Sequence, residues 1–204
     1  FLPACGYVLT TGTFAIGSLH PEAAGAATKT LTIGLFENGR YKQIHGAMGS
    51  FSLALVPGKV GRIDFTFIGA WDEVTDAAVP ATTLPADQGM RFTGGVTLGT
   101  WNPKVGDVTI DAGNGVQLRE DGAKASGYCN AIITSRDPTV SFQPEAAIVA
   151  GKDTYGNWLD HAEEALAIIM SDGASTLTIT APKLQLVNVQ EADRNGVVTD
   201  AIEA

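Results

Sequence analysis

Residues 46–71, GAMGSFSLALVPGKVGRIDFTFIGAW, constrain this chain more than any other stretch. They read as two alternating strands joined by a turn at Pro57, Gly58 and Gly61. In the register that keeps every large side chain on one side, Phe51 pairs with Phe67, Leu53 with Phe65 and Leu55 with Ile63. Ser52 then pairs with Thr66, and Ala54 with Asp64, on the other side. Side chains alternate with period two along a strand, so a one-residue slip would turn every apolar group outward. The ribbon thus has a core face of Phe51, Leu53, Leu55, Ile63, Phe65 and Phe67. Its opposite face is smooth and small, polar or acidic, with Ser50, Ser52, Asp64 and Thr66. That smooth face carries no constellation of reactive groups and reads as a wall past which something slides. Ile68, beside Ser50, is the one large apolar group that does not suit it.

Turn signals recur at short spacing along the rest of the chain, the pattern of an all-β sandwich or barrel. Residues 31–35 and 41–45 flank Glu37-Asn38-Gly39, an Asn-Gly hairpin turn that needs positive φ. Further strands are expected at 91–98, 107–111, 116–119, 128–134, 165–171, 175–181 and 184–190, with a last one starting at Val197 after Asn195-Gly196. One helix is expected on a flank of the sandwich. Asn157 can cap the segment WLDHAEEALAI, whose early acids suit a helix N-terminus. At 204 residues the chain suits a single domain, 1–204, with an N-terminal arm (1–30) and a long loop (72–89). That loop holds Asp72, Glu73, Asp76, Pro80, Pro85 and Asp87. A loop of such length calls for a partner or is a surface excursion. The chain begins at Phe1 and stops at Ala204 in what reads as an unfinished strand, so residues are expected beyond both ends.

Charge and chemistry narrow the function classes. The net charge of -9 argues against a protein that grips nucleic acid, which needs clustered Lys and Arg. It leaves DNA possible as a passenger, because a polyanion in a channel should not stick to the walls. Acidic surfaces also serve solubility alone. Cys5 and Cys129 lie far apart and have no metal spacing, which fits reduced thiols. No apolar run reaches the length of a membrane helix, and the opening residues lack the basic start of a signal peptide. Of the three histidines, His20, His45 and His161, only His161 has a partner at metal spacing, Glu164, and a solvated helix face explains that pair better. Asp107, Asp111 and Asn114 crudely suggest calcium oxygens, yet a strand end and a Gly-Asn-Gly turn account for them. Arg136-Asp137-Pro138 reads as an ion pair at a turn. No nucleophile elbow, phosphate loop or dinucleotide fingerprint is present, so no catalytic residue, cofactor or metal is expected and the chain reads as a non-enzyme.

The pattern GAxGSFSLxLxxGKxGRIDFTFxG at 46–69 resembles tail tube proteins (major tail proteins) of bacteriophages with long flexible tails. The resemblance continues in order through Cys5-Gly6, Glu37-Asn38-Gly39 with Tyr41, Gly113-Asn114, Gly127-Tyr128, Ile133-Thr134 with Arg136-Asp137-Pro138, and Asp193-Arg194-Asn195-Gly196. It implies a structural subunit of the virion tail, assembled in the bacterial host cytoplasm. Each subunit would be a β-sandwich with a flanking helix that lends strands to a barrel lining the lumen. Subunits would form rings, typically hexameric, and loops and terminal arms would stack them into a tube. The implied partners are further copies, tape-measure, tail-tip and terminator proteins, and DNA passing without specificity. Similar folds serve contractile tails and type VI secretion, so the machine stays open. On this reading Ser50, Ser52, Asp64 and Thr66 face the lumen and loop 72–89 makes the ring-to-ring contact. The rival readings are a β-sandwich binding module, such as a capsid decoration protein, and an enzyme with a site assembled from Asp107, Asp111 and His161.

Overall fold

The computed structural model of the chain describes residues 1–17, 29–83, 89–93 and 95–204. After a 3-10 turn, Leu2–Cys5, the strands run β1 Tyr7–Thr10, β2 Thr13–Ile16, β3 Leu31–Glu37, β4 Arg40–Leu55, β5 Arg62–Trp71, β6 Thr75–Asp76, β7 Val96–Leu98, β8 Val105–Asp111, β9 Asn114–Glu120, β10 Tyr128–Arg136 and β11 Thr139–Pro144. The helix α1, Thr154–Leu159, precedes β12 Glu163–Ser171, β13 Thr176–Gln185, β14 Asn188–Arg194 and β15 Val197–Glu203. The fold is all-β with one short helix among the described residues. The chain divides into two compact units: Phe1–Phe51, Asp64–Pro85 and Ala112–Pro138 form the first, and Ser52–Ile63, Ala86–Asp111 and Thr139–Ala204 the second.

The first unit is built from hairpins. β1 and β2 turn at Thr11 and Gly12, and β3 and β4 at Asn38 and Gly39, all with positive φ. The Asn-Gly turn is thus left-handed at both central residues, which matches the strand twist. β4 also pairs with β5 and β6, and β9 with β10. Inside β4, Gly46 takes φ 59 where the register against β3 shifts between Leu31 and Ile33. A side chain there would also meet Asn130. Met48, Ala131 and Ile133 form a small buried cluster with Val116 and Leu118 against it.

The second unit is a sandwich. One sheet runs β14-β15-β11-β8 and takes residues 52–55 of β4 as its next strand. The other runs β13-β12-β7. A single buried cluster draws on both: Leu53, Leu55, Val108, Phe142 and Ile202 from the first, and Leu98, Leu166, Ile168, Met170 and Leu184 from the second.

Two elements differ from the sequence expectation. The helix over 158–168 stops at Leu159: its cap is Asp153, whose carboxylate accepts from the Gly156 N–H at 2.7 Å, and His161 reverses the chain at φ 53. Glu163–Ser171 is a strand instead, bonded to β13 on one side and β7 on the other, with Leu166, Ile168 and Met170 buried at period two. Ladder bonds on both edges outweigh the high helix propensity of the Glu-Glu-Ala-Leu-Ala run, because propensity is a weak prior that tertiary pairing overrides. Likewise, among the described residues of the strand expected at 91–98, Val96–Leu98 forms a strand, while Arg91 makes isolated bridges to Val60 and Ser171.

Candidate functional site

In the second unit, period-two alternation sorts five strands into two faces. Leu55, Val108, Phe142, Ile202 and Val189 are consecutive cross-strand partners, and all are buried in the core. The next row outward is Ala54, Thr109, Ser141, Glu203 and Asn188, none of them a large apolar residue. Asp107, Asp111, Gln143 and Gln190 extend the same outward face and are exposed. A shallow depression of about 530 Å³ lies over it, lined by Asp107, Thr109, Ser141, Gln190 and Glu203 among others. Arg194 is a cation at its margin, and its guanidinium donates to the Gln143 carbonyl at 2.8 Å and to Glu145 Oε1 at 3.3 Å. The face is therefore hydroxyl, amide and carboxylate, backed by a rigid core.

Of the four residues expected on the smooth wall, Ser52 lies on this face, half-buried and opposite Asp111. The other three belong to the first unit. Asp64 and Thr66 are exposed there. Ser50 is half-buried, and its Oγ accepts from the Asn114 N–H at 3.2 Å. Ile68 is exposed. Of the expected core face, Leu53 and Leu55 are buried. Phe51, Phe65 and Phe67 are half-buried and make a separate aromatic group: Phe51 meets Phe65 at 6.0 Å, Phe65 stacks on Phe67 at 5.8 Å, and Phe1 and Tyr7 cap the group. The Phe67 ring lies against Gly49, where the missing Cβ leaves it room. Ile63 is 42% exposed and lies outside the buried cluster, at the end of the ribbon where β5 begins.

The long loop is tied down at its start. Gln43 Nε2 donates to Asp72 Oδ2 at 2.7 Å, and the Glu73 N–H donates to Asp72 Oδ1 at 2.9 Å. The backbone bond first, and then the Gln43 amide, hold this carboxyl below the usual aspartate range. His45 Nδ1 stands 3.8 Å from the same carboxylate. Asp76 lies opposite Arg40 in the β6–β4 ladder, and the Ala77 N–H donates to the Gly39 carbonyl at 2.9 Å. Glu73 and Pro80 are exposed, and Pro85 and Asp87 lie outside the described residues, as do His20 and the rest of 18–28 in the N-terminal arm.

A polar hub that sequence reasoning missed sits in the first unit. Arg136 Nε donates to Asn114 Oδ1 at 3.0 Å, and one Nη donates to the Cys5 and Gly6 carbonyls at 3.3 and 3.1 Å. Asn114 Nδ2 donates to the Cys5 and Gly49 carbonyls at 2.9 and 3.0 Å. The guanidinium also lies 5.4 Å from the Tyr7 ring centre. Arg136 thus bonds Asn114 and backbone carbonyls rather than the neighbouring Asp137 expected from the sequence. Burial pushes the Cys5 thiol up to about 11, raises the Tyr7 phenol and lowers the Arg136 guanidinium. Cys5-Gly6, Gly49-Ser50, Asn114 and Arg136, scattered over the sequence, meet here. Their roles are structural: the hub fixes the root of the β1–β2 hairpin to β4 and to the β9–β10 pair.

Among the described residues no group of three or more His, Cys, Asp and Glu is placed to hold a metal ion. Glu164, paired with His161 by sequence spacing, bonds Lys152. Asp107 and Asp111 lie on the polar sheet face of the second unit, whereas Asn114 belongs to the hub of the first. No protein-family model matches the chain, and the search of curated proteins finds no match.

Proposed function

We propose that this chain is a structural subunit that self-assembles into stacked rings forming a hollow phage tail tube. The polar, acidic face of β4, β8, β11, β15 and β14 borders its water-filled bore. The observation that carries this reading is the row Ala54, Thr109, Ser141, Glu203 and Asn188, broad and free of large apolar side chains, directly over a row that is buried. A wall for a passing polyanion needs that combination: groups that stay hydrated, carboxylates that repel phosphate, and stiffness behind them. Carboxylates at Asp107, Asp111 and Glu203 lie on this face, and Arg194 at its margin is occupied by Gln143 and Glu145. Ser52, paired with Asp111 on the same sheet face, belongs to the proposed wall. The role is non-enzymatic, with DNA as a transient passenger and tape-measure, tip and terminator proteins as partners.

The test is negative-stain microscopy and sedimentation of the purified full chain. Rings or tubes with a central hole are the expected outcome. Monomers at every concentration up to millimolar would overturn the reading. They would favour a β-sandwich binding module, for which the same 530 Å³ depression is the natural ligand surface.

A further inference from the structure

Copies of a chain with net charge -9 repel one another, so they associate best through surfaces that carry no charge. Two exposed apolar elements meet that condition. The first is the β1–β2 hairpin. Residues 6–17, GYVLTTGTFAIG, contain no ionisable acid or base other than the Tyr7 phenol. Tyr7 faces Ile16 and Leu9 faces Phe14 across the ladder, so all four share one face. On that face Leu9 is 56%, Phe14 42% and Ile16 62% exposed. Among the described residues β1 and β2 pair only with each other, and a two-stranded sheet alone is marginal in water. Its root, however, is held by Arg136 through the Cys5 and Gly6 carbonyls.

The second element is the turn at 146–151, AAIVAG, also without charge. Ile148 is 78% and Val149 71% exposed, and the Ala146 N–H donates to the carbonyl of exposed Val198 at 3.0 Å. The charges that bound this turn are neutralised inside the chain. Glu145 pairs with Arg194 at 3.3 Å, and Lys152 pairs with Glu164. Several other exposed apolar residues lie beside charge or stand alone: Val60 and Ile63 flank Arg62, Trp71 adjoins Asp72, and Val79 is a lone large apolar group in its segment.

We infer that the apolar face of the β1–β2 hairpin of one copy docks on the Ile148–Val149 turn of another copy. The contact joins different surfaces, so it repeats head to tail and propagates into rings or filaments instead of stopping at a dimer. This inference rests on the self-assembly reading above.

The experiment uses Phe14→Asp and Val149→Asp in the full chain. Both positions are exposed, and circular dichroism and thermal melting should match the parent. Each variant alone should need at least about tenfold more protein to associate, read by light-scattering mass, because each loses one half of every junction. A 1:1 mixture should recover association as pairs, with the intact hairpin of the Val149→Asp copy on the intact turn of the Phe14→Asp copy. The inference falls if either variant associates like the parent, or if the mixture stays monomeric. In both cases parental rings would leave the tube reading standing. A parent chain that never associates overturns both.

Discussion

Arg136 Nε and Asn114 Oδ1 lie 3.0 Å apart, joining the last residue of β10 to the first of β9. Both side chains then reach the same Cys5 carbonyl, so the pair clamps the N-terminal segment from two directions. Arg136→Met keeps the stem and removes the donors. It leaves Asn114 Oδ1 and two carbonyls short of a charged partner and should cost about 2–3 kcal/mol in urea unfolding. Arg136→Lys should recover only part of this, since one ammonium cannot span the forked acceptors. Losses from Arg136→Met and Asn114→Ala should be less than additive, because they share the Cys5 carbonyl.

Two glycines separate backbone strain from collision. Gly12 and Gly113 both have positive φ, at 80 and 59. A Cβ on Gly12 meets nothing within 4 Å, whereas one on Gly113 runs into the Asp137 carbonyl. Gly12→Ala should cost only the left-handed penalty, about 1 kcal/mol. Gly113→Ala should cost upwards of about 3 kcal/mol, because backbone must move as well. Thermal melting of the two variants checks the difference.

Reversing charge on the polar sheet face should change passage without changing the fold. Asp107 and Glu203 are exposed, so Asp107→Lys with Glu203→Lys should shift stability by no more than about 0.5 kcal/mol per site. On the tube reading proposed above, tubes carrying both changes should retain DNA at low salt and release it as salt rises. On the same reading, particles built with them should eject their genome more slowly than the parent.

The Cys5 thiol gives a pH signature. Its pKa in the folded chain is raised from 9.0 to about 11 by burial. A raised value means that the stabilisation is whole below pH 9.0 and is lost as pH climbs towards 11. Cys5→Ala should therefore flatten the alkaline limb of the stability curve. At pH 8 in native buffer a thiol reagent should leave Cys5 unmodified, and denaturant should expose it.

Asp72 acts in the opposite direction at the root of the long loop. Its pKa is lowered by the Glu73 N–H and then by Gln43, so its contribution is present above the usual value of 3.8 and is lost as pH falls through the depressed one. Asp72→Ala should reduce hydrogen-exchange protection at Thr75 and Ala77, the amides nearest the β6–β4 ladder, and leave β12 and β13 unchanged.

What the sequence disclosed was local. Leu53 and Leu55 inward with Ser52 and Ala54 outward could be read from alternation, because period two acts within a few residues. The turns at Asn38-Gly39 and Asn195-Gly196 could be read from residue type, and both pairs have positive φ. The helix over 158–168 misled because Trp158, Ala162 and Ala165 have helical spacing, while the deciding bonds of Glu163–Ser171 come from distant strands. The β1–β2 hairpin was missed since YVLTTGTFAI has no polar alternation to mark two faces. The Arg136 hub left no trace, as it joins residues up to 131 positions apart through carbonyls that every residue carries. Of the polar sheet face of the second unit, alternation in the sequence disclosed only Ser52 and Ala54; their neighbours on that face come from β8, β11, β14 and β15.

The order in which the chain visits its two units has a practical consequence for dissection. Each unit takes three separate stretches, and the path passes between them five times: within β4 after Phe51, within β5 after Ile63, and after Pro85, Asp111 and Pro138. No contiguous fragment encodes either one, so a single protease nick or premature stop should give a gapped or truncated product and not an isolated, self-sufficient half. Attempts to transplant one unit into another protein will have to carry loops engineered to splice its three stretches.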